Sequence, residues 1–163
     1  IDRMVNRFFS KVTPELIEEA KKQGMSLEDT VTLASIIEKE TGVPEERPLI
    51  GSVFHNRLKK RMRLQSDPTT IYGITNFDGN LRKKDLQTHT PYNTYTIFGL
   101  PPGAIASPGL DSIRAAIHPA TSKYLYFVAN NHGGHIFSES YKEHSRHVNS
   151  YQKGTRTVHK SAK

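Results

Sequence analysis

The chain has 163 residues, a formal net charge of +7 and no cysteine. That length suits one compact domain with its own core, and the missing cysteines exclude a disulfide framework, thiolate catalysis and a cysteine-ligated metal site. No apolar run nears the ~18 residues of a membrane span, and the basic balance favours an anionic partner: nucleic acid, acidic lipid or an acidic polymer.

The chain starts at Ile1, without an initiator Met, inside what reads as a helix through Phe9, so it is expected to be a piece of a longer protein. Thr13-Pro14-Glu15 is a helix start with proline in the first turn, running to Lys22 and stopped by Gly24. Ser26-Leu27-Glu28-Asp29 opens the next helix, which stops at Gly42. Pro44-Glu45-Glu46 starts a further helix with an apolar stripe of Leu49, Ile50, Val53, Phe54 and Leu58. Gln65-Ser66-Asp67-Pro68 reads as a loop feeding a short helix, with Ser66 or Asp67 as cap, and Asp78-Gly79-Asn80 as a turn. Residues 90–108 are irregular, and a loop that long in a compact domain is usually functional or disordered. Its Tyr92, Tyr95, Ile97, Leu100 and Ile105 argue against disorder. Leu110 to Ile117 reads as a helix, Lys123 to Ala129 and His135 to Ser138 as the strands of a hairpin, and Tyr141 to Tyr151 as a last helix. Helices, then loops, then a hairpin and a helix make an α+β domain.

One carboxylate stands out. In Leu33-Ala34-Ser35-Ile36-Ile37-Glu38-Lys39-Glu40-Thr41, Glu40 continues the apolar series of Leu33, Ile36 and Ile37, while Glu38 faces roughly the opposite side. A Glu on a buried stripe needs a partner or a task. Desolvation there favours the protonated form, which a general acid requires at neutral pH. An Arg-paired structural carboxylate, or a helix-end residue reaching solvent, would give the same pattern. Asn56-Arg57, Gln65-Ser66-Asp67 and Tyr92-Asn93-Thr94-Tyr95 could converge on it. Amides, hydroxyls and phenols beside a lone acid suit a carbohydrate cleft. His132 with His135 and His144 with His147 have metal-like spacing, but one pair lies in a tight turn, so exposed histidines are expected and no metal. The sequence contains no Gly-rich phosphate loop, serine nucleophile elbow or His-Glu-x-x-His motif.

Six stretches, in order, resemble the endolytic murein transglycosylases, the YceG-like family. They are the Glu40 run, Ser52 to Leu58, Arg63 to Thr69, Tyr92 to Tyr95, Gly99 to Ile105 and Tyr124 to Ala129. His55 departs from that pattern, standing where an aliphatic residue is expected. The resemblance implies a lysozyme-like fold with groove-lining loops. It also implies cleavage of the β-1,4 bond between N-acetylmuramic acid and N-acetylglucosamine in glycan strands, yielding 1,6-anhydromuramoyl ends. The essential Glu falls on Glu40, acting as general acid and then base, with no cofactor. Asn56, Gln65, Ser66, Asp67, Tyr92, Asn93 and Tyr95 are the candidate substrate-binding residues. On this reading residues 1–25 are a helical lead-in, 26–153 the catalytic domain and 154–163 a basic flexible tail. The whole protein is expected to be bacterial and monomeric, held in the cytoplasmic membrane by a single N-terminal span outside this chain, with a LysM-like part also outside it. Its catalytic part faces away from the cytoplasm, and peptidoglycan synthases are family-level partners.

Three rivals remain open. A muramidase would use Asp67 as second carboxylate, and a non-catalytic glycan-binding module would keep Glu40 as a structural charge. A nucleic-acid binder would need a basic face with interleaved aromatics, which the sequence lacks.

Overall fold

Caps and prolines set the helix starts. The computed structural model describes residues 2–153. Helix α1 (Asp2–Lys11) leads to α2 (Pro14–Lys22), which begins on a proline and closes before Gly24, whose φ is +76°. Helix α3 (Leu27–Glu40) has reciprocal N-terminal bonds: Asp29 N–H to Ser26 Oγ at 3.0 Å and Ser26 N–H to Asp29 Oδ2 at 3.4 Å. A 3-10 turn (Pro44–Glu46) precedes α4 (Arg47–Lys59), so the α-helix begins three residues later than Pro44 suggests. Then come α5 (Asp67–Tyr72), α6 (Lys83–Gln87), which the sequence pattern does not announce, and α7 (Leu110–Ile117). Strands β1 (Tyr126–Ala129) and β2 (His135–Ser138) pair antiparallel with Phe127 opposite Phe137, followed by α8 (Tyr141–Val148) and a π-helical turn (Asn149–Lys153). The domain is α+β, as expected, and residues 90–108 contain no helix or strand.

The core lies where α3, α4 and α7 meet. Leu33, Ala34, Ile36 and Ile37 of α3 are wholly buried with Ile50 and Phe54 of α4 and Ile113, Ala116 and Ile117 of α7. Gly51 lets α4 and α7 touch: a Cβ there would sit 2.6 Å from the Ala115 carbonyl oxygen. Val12 and Ala20 are buried in the same core, so residues 2–25 pack with the rest. The departure at His55 is resolved by a 2.7 Å bond from its Nε2 to the Ala116 carbonyl.

The first strand is shorter than the sequence predicts, and α4 explains why. Asn56 Nδ2 donates to the carbonyls of Ser122 and Tyr124, both at 2.9 Å, and Arg57 Nε donates to Leu125 O at 2.7 Å. Side chains thus take acceptors that a sheet neighbour would otherwise use. Glu46 fixes the hairpin from the other side, accepting from the His135 backbone N–H at 2.8 Å and meeting His135 Nδ1 at 2.7 Å. His147 Nδ1 lies 3.0 Å from Ser138 Oγ, and His144 stacks on Tyr126. Among the described residues, no group of three or more His, Asp and Glu side chains is placed to hold a metal ion. The tail at 154–163 lies outside the described residues.

Candidate active site

Glu40 is the last residue of α3, one turn beyond Ile36 and Ile37. Burying Leu33, Ile36 and Ile37 contributes about 2 kcal/mol each, enough to hold a poorly solvated acid at the end of the stripe. The residue is partly exposed, yet protein surrounds its carboxyl group closely. Its Oε1 accepts a 2.5 Å hydrogen bond from Ser66 Oγ. Among the described residues no cation forms an ion pair with it. Burial pushes its pKa up from 4.5 to about 7; the Ser66 bond opposes the rise, the nearby Asp67 charge adds to it and Arg57 opposes it. At neutral pH such a group is present both as acid and as base.

Ser66 is the N-cap of α5 but does not cap it, because its hydroxyl is turned to Glu40. Thr94 is wholly buried and fixes that orientation. Its Oγ1 accepts from Ser66 N–H at 2.9 Å and lies 2.8 Å from Thr69 Oγ1, which donates to Ser66 O at 2.7 Å. Gln65 N–H donates to Thr94 O at 3.2 Å. The loop before α5 and the Tyr92–Tyr95 stretch are therefore one unit.

Beside this unit lies a cavity of about 430 Å³, lined by Arg57, Met62, Gln65, Tyr95, Tyr126, Tyr141 and His144. Arg57 is almost fully buried, and its Nη1 donates to the carbonyls of Arg63 at 3.1 Å and Leu64 at 2.8 Å, and to Gln65 Oε1 at 3.3 Å. Its guanidinium lies 5.1 Å from the centre of the Tyr126 ring. Tyr95 donates to Asp67 Oδ1 at 2.6 Å, and burial together with that bond raises its phenol pKa. His144 stacks on Tyr126 with ring centres 5.2 Å apart, and burial followed by the Arg57 charge lowers its pKa.

Of the residues singled out in the sequence, Gln65 and Tyr95 line the cavity, and Glu40, Ser66 and Asp67 adjoin it through the Ser66–Glu40 and Tyr95–Asp67 bonds. Asn93 does not open onto the cavity. It is wholly buried, with Nδ2 donating to the carbonyls of Asp85, Leu86 and Thr88, and Oδ1 accepting from Thr70 Oγ1 and Tyr95 N–H. Asn56 spends its amide hydrogens on the strand lead-in. Tyr92 packs on Tyr72 at 4.7 Å, outside the cavity lining. The sequence-based set lacked Tyr126, Tyr141 and His144. Tyr126 carried a signal as a polar-tipped aromatic alternating with Leu125 and Phe127 along its predicted strand; Tyr141 and His144 share one helix face at three-residue spacing.

A family model for the YceG-like family matches residues 1–150. The chain belongs to the YceG-like family. It is 44% identical over 133 residues to an endolytic murein transglycosylase of Bacillus subtilis (strain 168), covering 82% of this chain and 37% of that protein. An endolytic murein transglycosylase of Streptococcus pneumoniae serotype 2 is 34% identical over 154 residues, covering 91% and 28% respectively. The crystal structure of a yceG-like protein from Listeria monocytogenes superimposes with a TM-score of 0.80 at 42% identity, over 88% of this chain and 46% of that one. The chain thus spans well under half the length of the curated relatives it matches.

Proposed function

We propose that this chain is the catalytic part of a lytic transglycosylase that cleaves the β-1,4 bond between N-acetylmuramic acid and N-acetylglucosamine within peptidoglycan strands. The observation that carries this reading is Glu40: a carboxyl group with no ion-pair partner among the described residues and a pKa of about 7, held by Ser66 beside a cavity walled by phenols, an imidazole, an amide and a guanidinium. The activity named for its relatives supports the same choice.

Ser66 donates to Oε1, so the acid proton of neutral Glu40 resides on Oε2, the oxygen left for substrate. That proton passes to the glycosidic oxygen as the C1–O bond breaks and positive charge develops at C1. The carboxylate so formed takes the proton of the C6 hydroxyl of the same muramoyl residue, and the C6 oxygen bonds to C1. A 1,6-anhydro ring closes, Glu40 regains its proton, and no water is consumed. One carboxyl group serves as acid and base in turn. Gln65 and Tyr95 are placed to orient the sugar, and the reaction needs no cofactor.

A second reading rests on Asp67, an exposed carboxylate whose charge reaches Glu40. In a glycosidase with two carboxyl groups it would serve as nucleophile or base, although here Tyr95 occupies one of its oxygens. Digestion of purified peptidoglycan by the parent protein, Glu40→Gln and Asp67→Asn, with products resolved by mass spectrometry, separates the two. Anhydromuramoyl ends from the parent and none from Glu40→Gln are the expected result. Products heavier by one water, lost in Asp67→Asn, would overturn it in favour of hydrolysis.

The reading extends to a lysozyme-like arrangement of the catalytic helix, with 26–153 as the catalytic domain behind a 1–25 lead-in. It further places the domain outside the cytoplasm, tethered as a monomer by an N-terminal span and working beside peptidoglycan synthases. No helix of the described residues is long and apolar enough to cross a membrane.

A further inference from the structure

The basic run Lys59-Lys60-Arg61-Met62-Arg63 and the 66% exposed Phe98 have no part in the chemistry above. They meet at a hollow of about 630 Å³ lined by Leu58, Arg61, Met62, Phe98 and Gly99. Met62 also lines the cavity beside Glu40, so the two hollows adjoin across its side chain. The hollow is anchored to the site by Arg57, which bonds the carbonyls of Arg63 and Leu64.

The end of α4 shapes its rim. Met62 N–H donates to Arg57 O at 2.9 Å and Arg61 N–H to Leu58 O at 3.0 Å, the paired bonds of a Schellman turn. That turn puts Arg61 at a φ of +53°, where glycine would sit with least strain. A long, exposed cation occupies the place instead. The Arg63 guanidinium lies 4.8 Å from the centre of the Phe98 ring. An aromatic wall flanked by Arg61 and Arg63, in a hollow that adjoins the Glu40 cavity across Met62, suits a sugar that carries carboxylates.

We propose that this hollow binds the part of the peptidoglycan strand next to the cleaved disaccharide, with a sugar face on Phe98 and stem-peptide carboxylates on Arg61 and Arg63. The proposal rests on the transglycosylase reading and adds a preference to it: strands that keep their stem peptides bind better than stripped ones. The shared Met62 wall with the Glu40 cavity favours a glycan over a lipid surface, since Phe98 lines a hollow.

The test measures binding in the Glu40→Gln background, so that strands stay intact, using labelled glycan strands with their peptides and the same strands after amidase removal of them. Arg61→Gly is the informative variant, because it removes the cation while relaxing the backbone. It is expected to weaken binding of peptide-bearing strands about threefold, as for an exposed ion pair, with stripped strands unaffected. Phe98→Ala is expected to weaken both about fivefold. Unchanged affinity of both variants for peptide-bearing strands overturns the proposal and leaves the transglycosylase reading intact. Unchanged strand affinity with lost binding to phosphatidylglycerol vesicles overturns it in favour of a lipid surface. Failure of the Glu40→Gln protein to bind any strand refutes the glycan reading, and this proposal with it.

Discussion

Replacing Glu40 by Gln is expected to abolish activity and, at alkaline pH, to make the protein more stable. The carboxyl pKa rises from 4.5 to about 7 because burial penalises the charged form more than Ser66 and Arg57 favour it. A group whose pKa is raised on folding contributes stability that is whole below its unfolded value and lost as pH climbs through the folded one. For Glu40 that loss runs from 4.5 to about 7. Each pH unit of difference corresponds to about 1.4 kcal/mol, so the native protein carries a burden of about 3 kcal/mol above the window. Gln keeps the shape and can accept from Ser66 but has no charge to desolvate. Urea unfolding of parent and variant should therefore nearly coincide at about pH 4 and diverge by about 2–3 kcal/mol at about pH 8, the variant being more stable. The opposite result would refute the reasoning. If Glu40 were a structural partner of Arg57, the substitution would strand a buried guanidinium and destabilise the protein at neutral pH.

Two further outcomes follow from the same geometry. Ser66→Ala removes a donor to the charged form of Glu40, so the carboxyl pKa goes up. A bond to a charged group is worth about 1.5–3 kcal/mol, so the alkaline limb of the pH–activity profile should move up by about one to two units; an unmoved limb or a downward shift would contradict this. Asn93→Ala strips buried partners from Thr70 Oγ1 and from the carbonyls of Asp85, Leu86 and Thr88, and should destabilise by about 3 kcal/mol. Below its melting point the variant should keep the parent's KM; a raised KM without loss of stability would return Asn93 to the substrate.

The sequence by itself determined every helix but α6, the hairpin, the position of the candidate carboxyl group and the family. These follow from local periodicity, caps and ordered short motifs. Glu40 was legible because the 3.6-residue repeat alone puts it on the stripe of Leu33, Ile36 and Ile37. Only the tertiary structure decided what surrounds it. Periodicity says that a side chain points inward, but not which loop it meets. Ser66 looks like a helix cap and spends its hydroxyl on Glu40; Asn93 looks like a sugar ligand and holds together five groups of its own chain. Tyr126, Tyr141 and His144 reach the cavity because the hairpin folds back onto α4, with Asn56 and Arg57 holding the lead-in carbonyls. Those bonds span 66 to 68 residues. Their partners are fixed by packing at long range, which no local pattern encodes.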